Sequence, residues 1–168
     1  MTLQPLVSDC PAFLYLDFKS PYAYLAVEPT RELERELGVQ FDWRPFVLDI
    51  PSYLGSARLD KKGSVVAQNR SSEQWSSVKY AYYDCRRYAN LRELTLRGTE
   101  KIWDTNLVAT AMLWVKNYDY TTQQRFIDLV FQPLWKCELD VENSAVIQSL
   151  LDQVGADGTA FIAWARAK

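Results

Sequence analysis

Tyr15-Leu16-Asp17-Phe18-Lys19-Ser20-Pro21-Tyr22-Ala23-Tyr24-Leu25-Ala26 is the stretch that decides the fold. Its first half belongs to the run Ala12 to Phe18, short, apolar and rich in aromatics, which reads as a strand. The run stops sharply at Lys19-Ser20-Pro21. Ser20 is a good N-cap, because its hydroxyl can accept from a first-turn N–H. Pro21 suits the first helical position, where no N–H is needed. A strand feeding straight into a helix start presents free N–H groups and the positive end of the helix dipole. That place favours an anion, and a thiol bound there would lose its proton more readily. The Ser20 hydroxyl could donate to its sulfur. The same Ser-Pro pair also opens ordinary helices that bind nothing.

Outward from this turn, a helix is predicted through Leu37, with Tyr24, Leu25, Leu33 and Leu37 on its inner side. Pro29 is expected to kink or interrupt it, Thr30 to recap the second part, and Gly38 to close it. Val39 to Phe46 alternates apolar and polar residues, which predicts a strand with Val39, Phe41 and Trp43 on one face. Residues 12–48 therefore read as a β-α-β unit. Ligands of such units sit at the carboxyl ends of the strands, where Lys19 to Tyr22 lie. Residues 47–73 read as irregular, with Pro51, Gly55 and Gly63. Residues 49–168 form the mostly helical remainder: Trp75 to Asn90, Asp104 to Asn117 with Asp104 as N-cap, Thr121 to Trp135, Glu142 to Val154, and a terminal helix opened by Asp157. Met112, Trp114, Phe126, Phe131 and Trp135 are expected in the core, and Cys85 and Cys137 as small buried hydrophobes.

Composition narrows the chemistry. The 168 residues include no histidine, which removes His-dependent hydrolases and histidine zinc sites. The three cysteines form no C-x-x-C pair, so no metal site and no dithiol motif is expected. The net charge of −2 predicts no nucleic-acid or membrane-surface partner. No apolar run approaches the roughly 20 residues that span a bilayer. Unpaired cysteines and the lack of a signal-type leader suggest a cytoplasmic protein.

The stretch around Ser20-Pro21-Tyr22-Ala23 resembles the active-site motif of 2-hydroxychromene-2-carboxylate isomerases and kappa-class glutathione transferases. Both belong to the DsbA-like group of the thioredoxin superfamily. Serine stands where DsbA-like oxidoreductases carry the first cysteine of C-x-x-C. Further matches are Trp43-Arg44-Pro45-Phe46-Val47-Leu48, which resembles the family's R-P-F-x-L strand end, and Lys79, Tyr80, Asp84 and Arg87, which resemble its K-x-x-Y-x-x-x-D-x-x-R helix. Asn69 resembles the loop asparagine that contacts glutathione. The resemblance runs from about residue 12 to 165. It implies an α/β thioredoxin-like fold with a large helical insertion. Relatives continue into a G-V-P-[TS]-F segment that this sequence lacks, which implies that the C-terminal β-hairpin half is missing.

The implied function is a glutathione-dependent isomerase of aromatic degradation, acting on an aromatic or conjugated acid. Ser20 would be its catalytic residue, and Ser20, Pro21, Tyr22, Lys19 and Asn69 would bind the cofactor glutathione. Lys19 is also readable as an ordinary solvated lysine, and Lys79, Asp84, Arg86 and Arg87 either as an ordinary helix surface or as a site for a substrate or glutathione carboxylate. The alternatives are a kappa-type transferase sharing this site and a catalytically silent binding or assembly module. Open apolar edges suggest a homo-oligomer.

Overall fold

Two strands and the helix between them frame the molecule, seen here as a computed structural model that describes residues 8–60 and 62–167. The start of the lead-in, residues 1–7, lies outside them. Strand β1 (Phe13–Leu16) pairs in parallel with β2 (Asp42–Pro45), Phe13 beside Asp42 and Leu16 beside Pro45. Helix α1 (Pro21–Leu37) connects them. The pleat sends Leu14, Leu16 and Trp43 toward the core, and Phe13, Tyr15 and Arg44 to the other face.

Helix α1 runs unbroken through Pro29, contrary to the expected interruption. Proline at 29 deprives the Leu25 carbonyl of its helical donor. The Arg92 guanidinium donates to that carbonyl at 2.8 Å instead. Thr30 does not recap; its hydroxyl donates to the Ala26 carbonyl. Gly38 closes the helix at a φ of 65°. The expected inner face is only partly right. Tyr24 and Leu25 are buried, but Leu33 and Leu37 are exposed, and Glu34 takes the inward place. Its carboxylate accepts from the Phe41 N–H, the Trp43 indole and the Tyr120 hydroxyl, so a charged group can be buried there.

The segment read as irregular contains helix α2 (Ile50–Leu54) and the antiparallel hairpin β3 (Ala57–Leu59) and β4 (Val65–Gln68). These elements are too short for a periodic signal, and every residue of β4 is exposed, so no alternation marks it. Helix α3 (Ser72–Leu91) starts earlier than predicted because Ser71 and Gln74 form a reciprocal capping box. Helices α4 (Asn106–Val115), α5 (Tyr120–Trp135), α6 (Ser144–Gln153) and α7 (Gly158–Arg166) complete the chain. Asp104 is not the α4 N-cap; Thr105 holds that position, and Asp104 accepts from the Asn106 N–H two residues on. Among the described residues no strand follows β4, and no helix is long and apolar enough to cross a membrane.

Aromatic rings knit the two parts. Phe18, at the end of the β1 turn, lies 4.9 Å from Phe131 of α5, and Tyr24 of α1 stacks on the same ring at 5.4 Å. Met112, Trp114, Phe126, Phe131 and Trp135 are all buried, as helical spacing predicts. Cys85 is buried too, whereas Cys137 is exposed. Cys137 follows the end of α5 with a φ of 60°, a turn conformation outside the core-facing helical stripe.

Candidate active site

Asp17 directly follows β1 and organises the turn there. It is buried, and its carboxylate accepts from the Lys19 N–H at 3.1 Å, the Leu48 N–H at 2.7 Å and the Thr105 hydroxyl at 2.7 Å. It thereby ties the carboxyl ends of β1 and β2 to the start of α4. The Ser20 N–H closes the turn onto the Asp17 carbonyl. Ser20 caps α1, its hydroxyl oxygen accepting from the Ala23 N–H at 3.2 Å. Capping uses an oxygen lone pair, so the hydroxyl proton can still be donated. Pro21 has no N–H, which leaves the Tyr22 N–H as a first-turn donor with no helical partner.

This turn forms one wall of a cavity of about 670 Å³, which Lys19, Ser20, Pro21 and Tyr22 all line. The opposite wall comes from α3. Trp75, Val78, Lys79, Tyr82 and Arg86 recur at helical spacing and share its inward face. Tyr53, from α2, and Trp103, before α4, add two further rings. Among the described residues, five basic ones line the cavity (Lys19, Arg70, Lys79, Lys101 and Arg86) and no aspartate or glutamate does. In a chain of net charge −2 this is a local concentration of positive potential. Four of the five have partners, Lys19 pairing with Asp17 at 3.5 Å. Arg70 donates to the Leu54 carbonyl and lies over the Trp75 ring, Arg86 donates to the Leu96 carbonyl, and Lys101 pairs with Glu142 at 2.5 Å. Lys79 makes no hydrogen bond or ion pair among the described residues.

The Tyr22 hydroxyl donates to Asp84 at 3.2 Å. Partial burial, with Cys85 and Asp84 beside it, pushes the phenol up to about 12, so Tyr22 is protonated at neutral pH. Asn69 is not in this cavity. It lines an adjoining cleft of about 690 Å³, and its side-chain oxygen accepts from the Ser56 N–H at 2.6 Å, clamping the base of the hairpin. Lys19, Leu48, Ala57, Lys101, Ile102 and Trp103 line both spaces and form their common wall. Tyr80 and Arg87 lie outside both, Tyr80 exposed and Arg87 paired with Asp84 at 3.4 Å. Arg44 lies on the far face of the sheet, paired with Asp42 at 2.6 Å and stacked over Phe13. Sequence reading weighed Arg86 as a carboxylate-binding candidate but missed Trp75, Tyr82 and Trp103. Trp75 and Tyr82 carried a usable signal, a helical repeat of rings on α3, whereas Trp103 comes from a loop and carried none.

A β1 that delivers its last residues to a helix start, with a helical layer closing over that turn, is the arrangement of a thioredoxin-like fold. The chain belongs to the DSBA-like thioredoxin domain family, whose profile matches residues 13–167. Within that family it is 27% identical over 154 residues to the 2-hydroxychromene-2-carboxylate isomerase of Sphingobium xenophagum, a match covering 90% of this chain and 72% of that one. A solved 2-hydroxychromene-2-carboxylate isomerase superposes with a TM-score of 0.57 at 19% identity, over 88% of this chain. The chain spans 66% of the length of that structure.

Proposed function

We propose that the chain is a glutathione-dependent isomerase acting on an aromatic or conjugated acid of the 2-hydroxychromene-2-carboxylate type. The observation that carries this reading is the cavity at the N-terminus of α1. It is lined by aromatic rings and basic residues, has no acidic residue among the described ones that line it, and presents a serine proton and a backbone N–H at one end. Its size suits a small organic ligand. Flat rings and positive charge favour a planar anion. The serine turn suits the sulfur of a thiol cofactor, since each of its donors favours the thiolate over the thiol. The similarity to 2-hydroxychromene-2-carboxylate isomerases supports the reaction class.

When bound, glutathione would supply a thiolate able to add reversibly to a conjugated carbon. The residues of this chain would do the rest. Ser20 and the Tyr22 N–H would hold the sulfur, and Lys79 would meet a substrate carboxylate as a free ammonium. Tyr22, kept protonated with its proton donated to Asp84, would line the substrate side as a neutral ring whose hydroxyl oxygen can accept. Asn69, already clamping the hairpin, would shape the adjoining cleft that the peptide portion enters from the common wall. No step requires an imidazole.

Calorimetric titration with glutathione tests the reading. Binding in the millimolar range or tighter is expected, and heats no larger than dilution overturn it. Ser20→Ala is expected to lower isomerase turnover several-fold with the fold intact, and unchanged turnover would mean that Ser20 serves only as a cap. Conjugation of glutathione to a model electrophile without isomerisation would identify a kappa-type transferase instead. Binding of neither cofactor nor substrate would identify a silent binding module.

A further inference from the structure

Lys19 and Lys101 are the two cations on the wall shared by the cavity and the cleft, and they are held in different ways. Lys101 is tied to Glu142 and sits over the Trp103 ring. The Lys19 side chain is only 7% exposed, and its single charged partner, Asp17, stands 3.5 Å away. No hydrogen bond leaves its ammonium among the described residues. The Asp17 carboxylate accepts from the Lys19 N–H, the Leu48 N–H and the Thr105 hydroxyl, and its Oδ2 stands 3.5 Å from the ammonium without a hydrogen bond to it. Asp17 therefore offsets the charge of Lys19 without using its protons. A buried ammonium with uncommitted donors is costly unless something at the site completes it.

We infer that Lys19, rather than Ser20, is the principal electrostatic anchor of a thiolate bound at the N-terminus of α1. The inference rests on the glutathione reading given above. An ammonium with protons to spare, 3.5 Å from its counter-charge in a largely buried wall, gives an anion a charge-assisted hydrogen bond, which is stronger than the neutral one the Ser20 hydroxyl can donate. The thiol proton leaves to solvent water on binding, and no covalent bond is made. On the cleft side the other charged groups are Asp49, Arg58, Lys101 and Asp104. On the cavity side they are Arg70, Lys79 and Arg86. Asp104 is held below the usual carboxylate range, chiefly by the Asn106 N–H and in part by Lys19 and Lys101, which places it within the field of Lys19.

The test follows the ultraviolet absorbance of the thiolate as glutathione bound to the full chain is titrated with pH, with S-methylglutathione as the blank. Bound thiol is expected to titrate below free glutathione. Lys19→Met should raise that midpoint by about one unit, and Ser20→Ala by less. Lys19→Arg should keep it low. A midpoint unmoved in Lys19→Met, or moved more by Ser20→Ala, overturns the assignment. Should Lys19→Met fail to fold, Lys19→Gln is compared by affinity at neutral pH. Its preference for glutathione over S-methylglutathione should fall about tenfold, and an unchanged preference overturns the assignment. Wild-type chain that binds no glutathione overturns the functional reading and this inference together. Binding with a midpoint insensitive to Lys19 overturns this inference alone.

Discussion

Glu34 is a single residue on which three elements converge. Its carboxylate, carried by α1, accepts from the Phe41 N–H at 2.6 Å, the Trp43 indole at 3.0 Å and the Tyr120 hydroxyl at 2.6 Å. Burial and this carboxylate push the Tyr120 phenol up, which keeps it a donor. Glu34→Ala strands all three donors and is expected to destabilise by about 3 kcal/mol, whereas Tyr120→Phe removes one bond and should cost about 1 kcal/mol. Urea denaturation midpoints check both. Asp42 is the second instructive residue. Burial pushes its carboxyl up, but hydrogen bonds from Arg44 and Lys116 outweigh burial and hold it at about 2, against an ordinary 3.8. A carboxyl lowered in the folded state stabilises above its unfolded value. That contribution, about 2 kcal/mol, should fade as pH falls from about 4 to about 2. Asp42→Asn should flatten the stability curve in that window, and a curve as steep as wild type would contradict the assignment. Neither role was legible in sequence. Glu34 reads as a surface residue of an amphipathic helix, and its partners come from β2 and α5.

At the scale of the element, α1 shows how a local rule is satisfied from a distance. Pro29 leaves the Leu25 carbonyl without its helical donor, and Arg92, at the end of α3, supplies one at 2.8 Å. Sequence reading saw the proline and expected a kink or an interruption. The break is averted by a guanidinium 67 residues away, which no local pattern announces. Arg92→Met should therefore destabilise by about 2 kcal/mol, the range for a charged donor. In a Pro29→Ala background, where the carbonyl regains its helical donor, the same substitution should cost clearly less. A double-mutant cycle by urea denaturation reads the difference, and additive losses would mean that Arg92 acts elsewhere. The hairpin β3–β4 was illegible for a different reason. With every residue of β4 exposed, no apolar face had to be encoded.

At the scale of the molecule, no helix or strand among the described residues covers the aromatic side chains on the outer face of the β1–β2 sheet. Phe13, Tyr15 and Phe46 are 48%, 58% and 55% exposed there. Parallel strands are normally covered on both faces, so self-association through this face is expected. Sedimentation should show a concentration-dependent increase in mass that Tyr15→Lys together with Phe46→Lys abolishes; a wild-type chain monomeric at all concentrations would remove the proposal. The sequence by itself determined the β-α-β opening, the capped turn at Ser20, the helical remainder and the aromatic core. Each of these is written in short-range chemistry: the strand and helix periods, a capping hydroxyl, a proline where no N–H is needed. Only the tertiary structure decided that α3 faces the turn, that Lys19 stands between two cavities with its charge held by Asp17, and that Asn69 clamps a hairpin in the adjoining cleft. Those outcomes depend on which side chains meet across tens of residues, and hydrogen-bond and charge complementarity at such distances leaves no periodic trace in the chain.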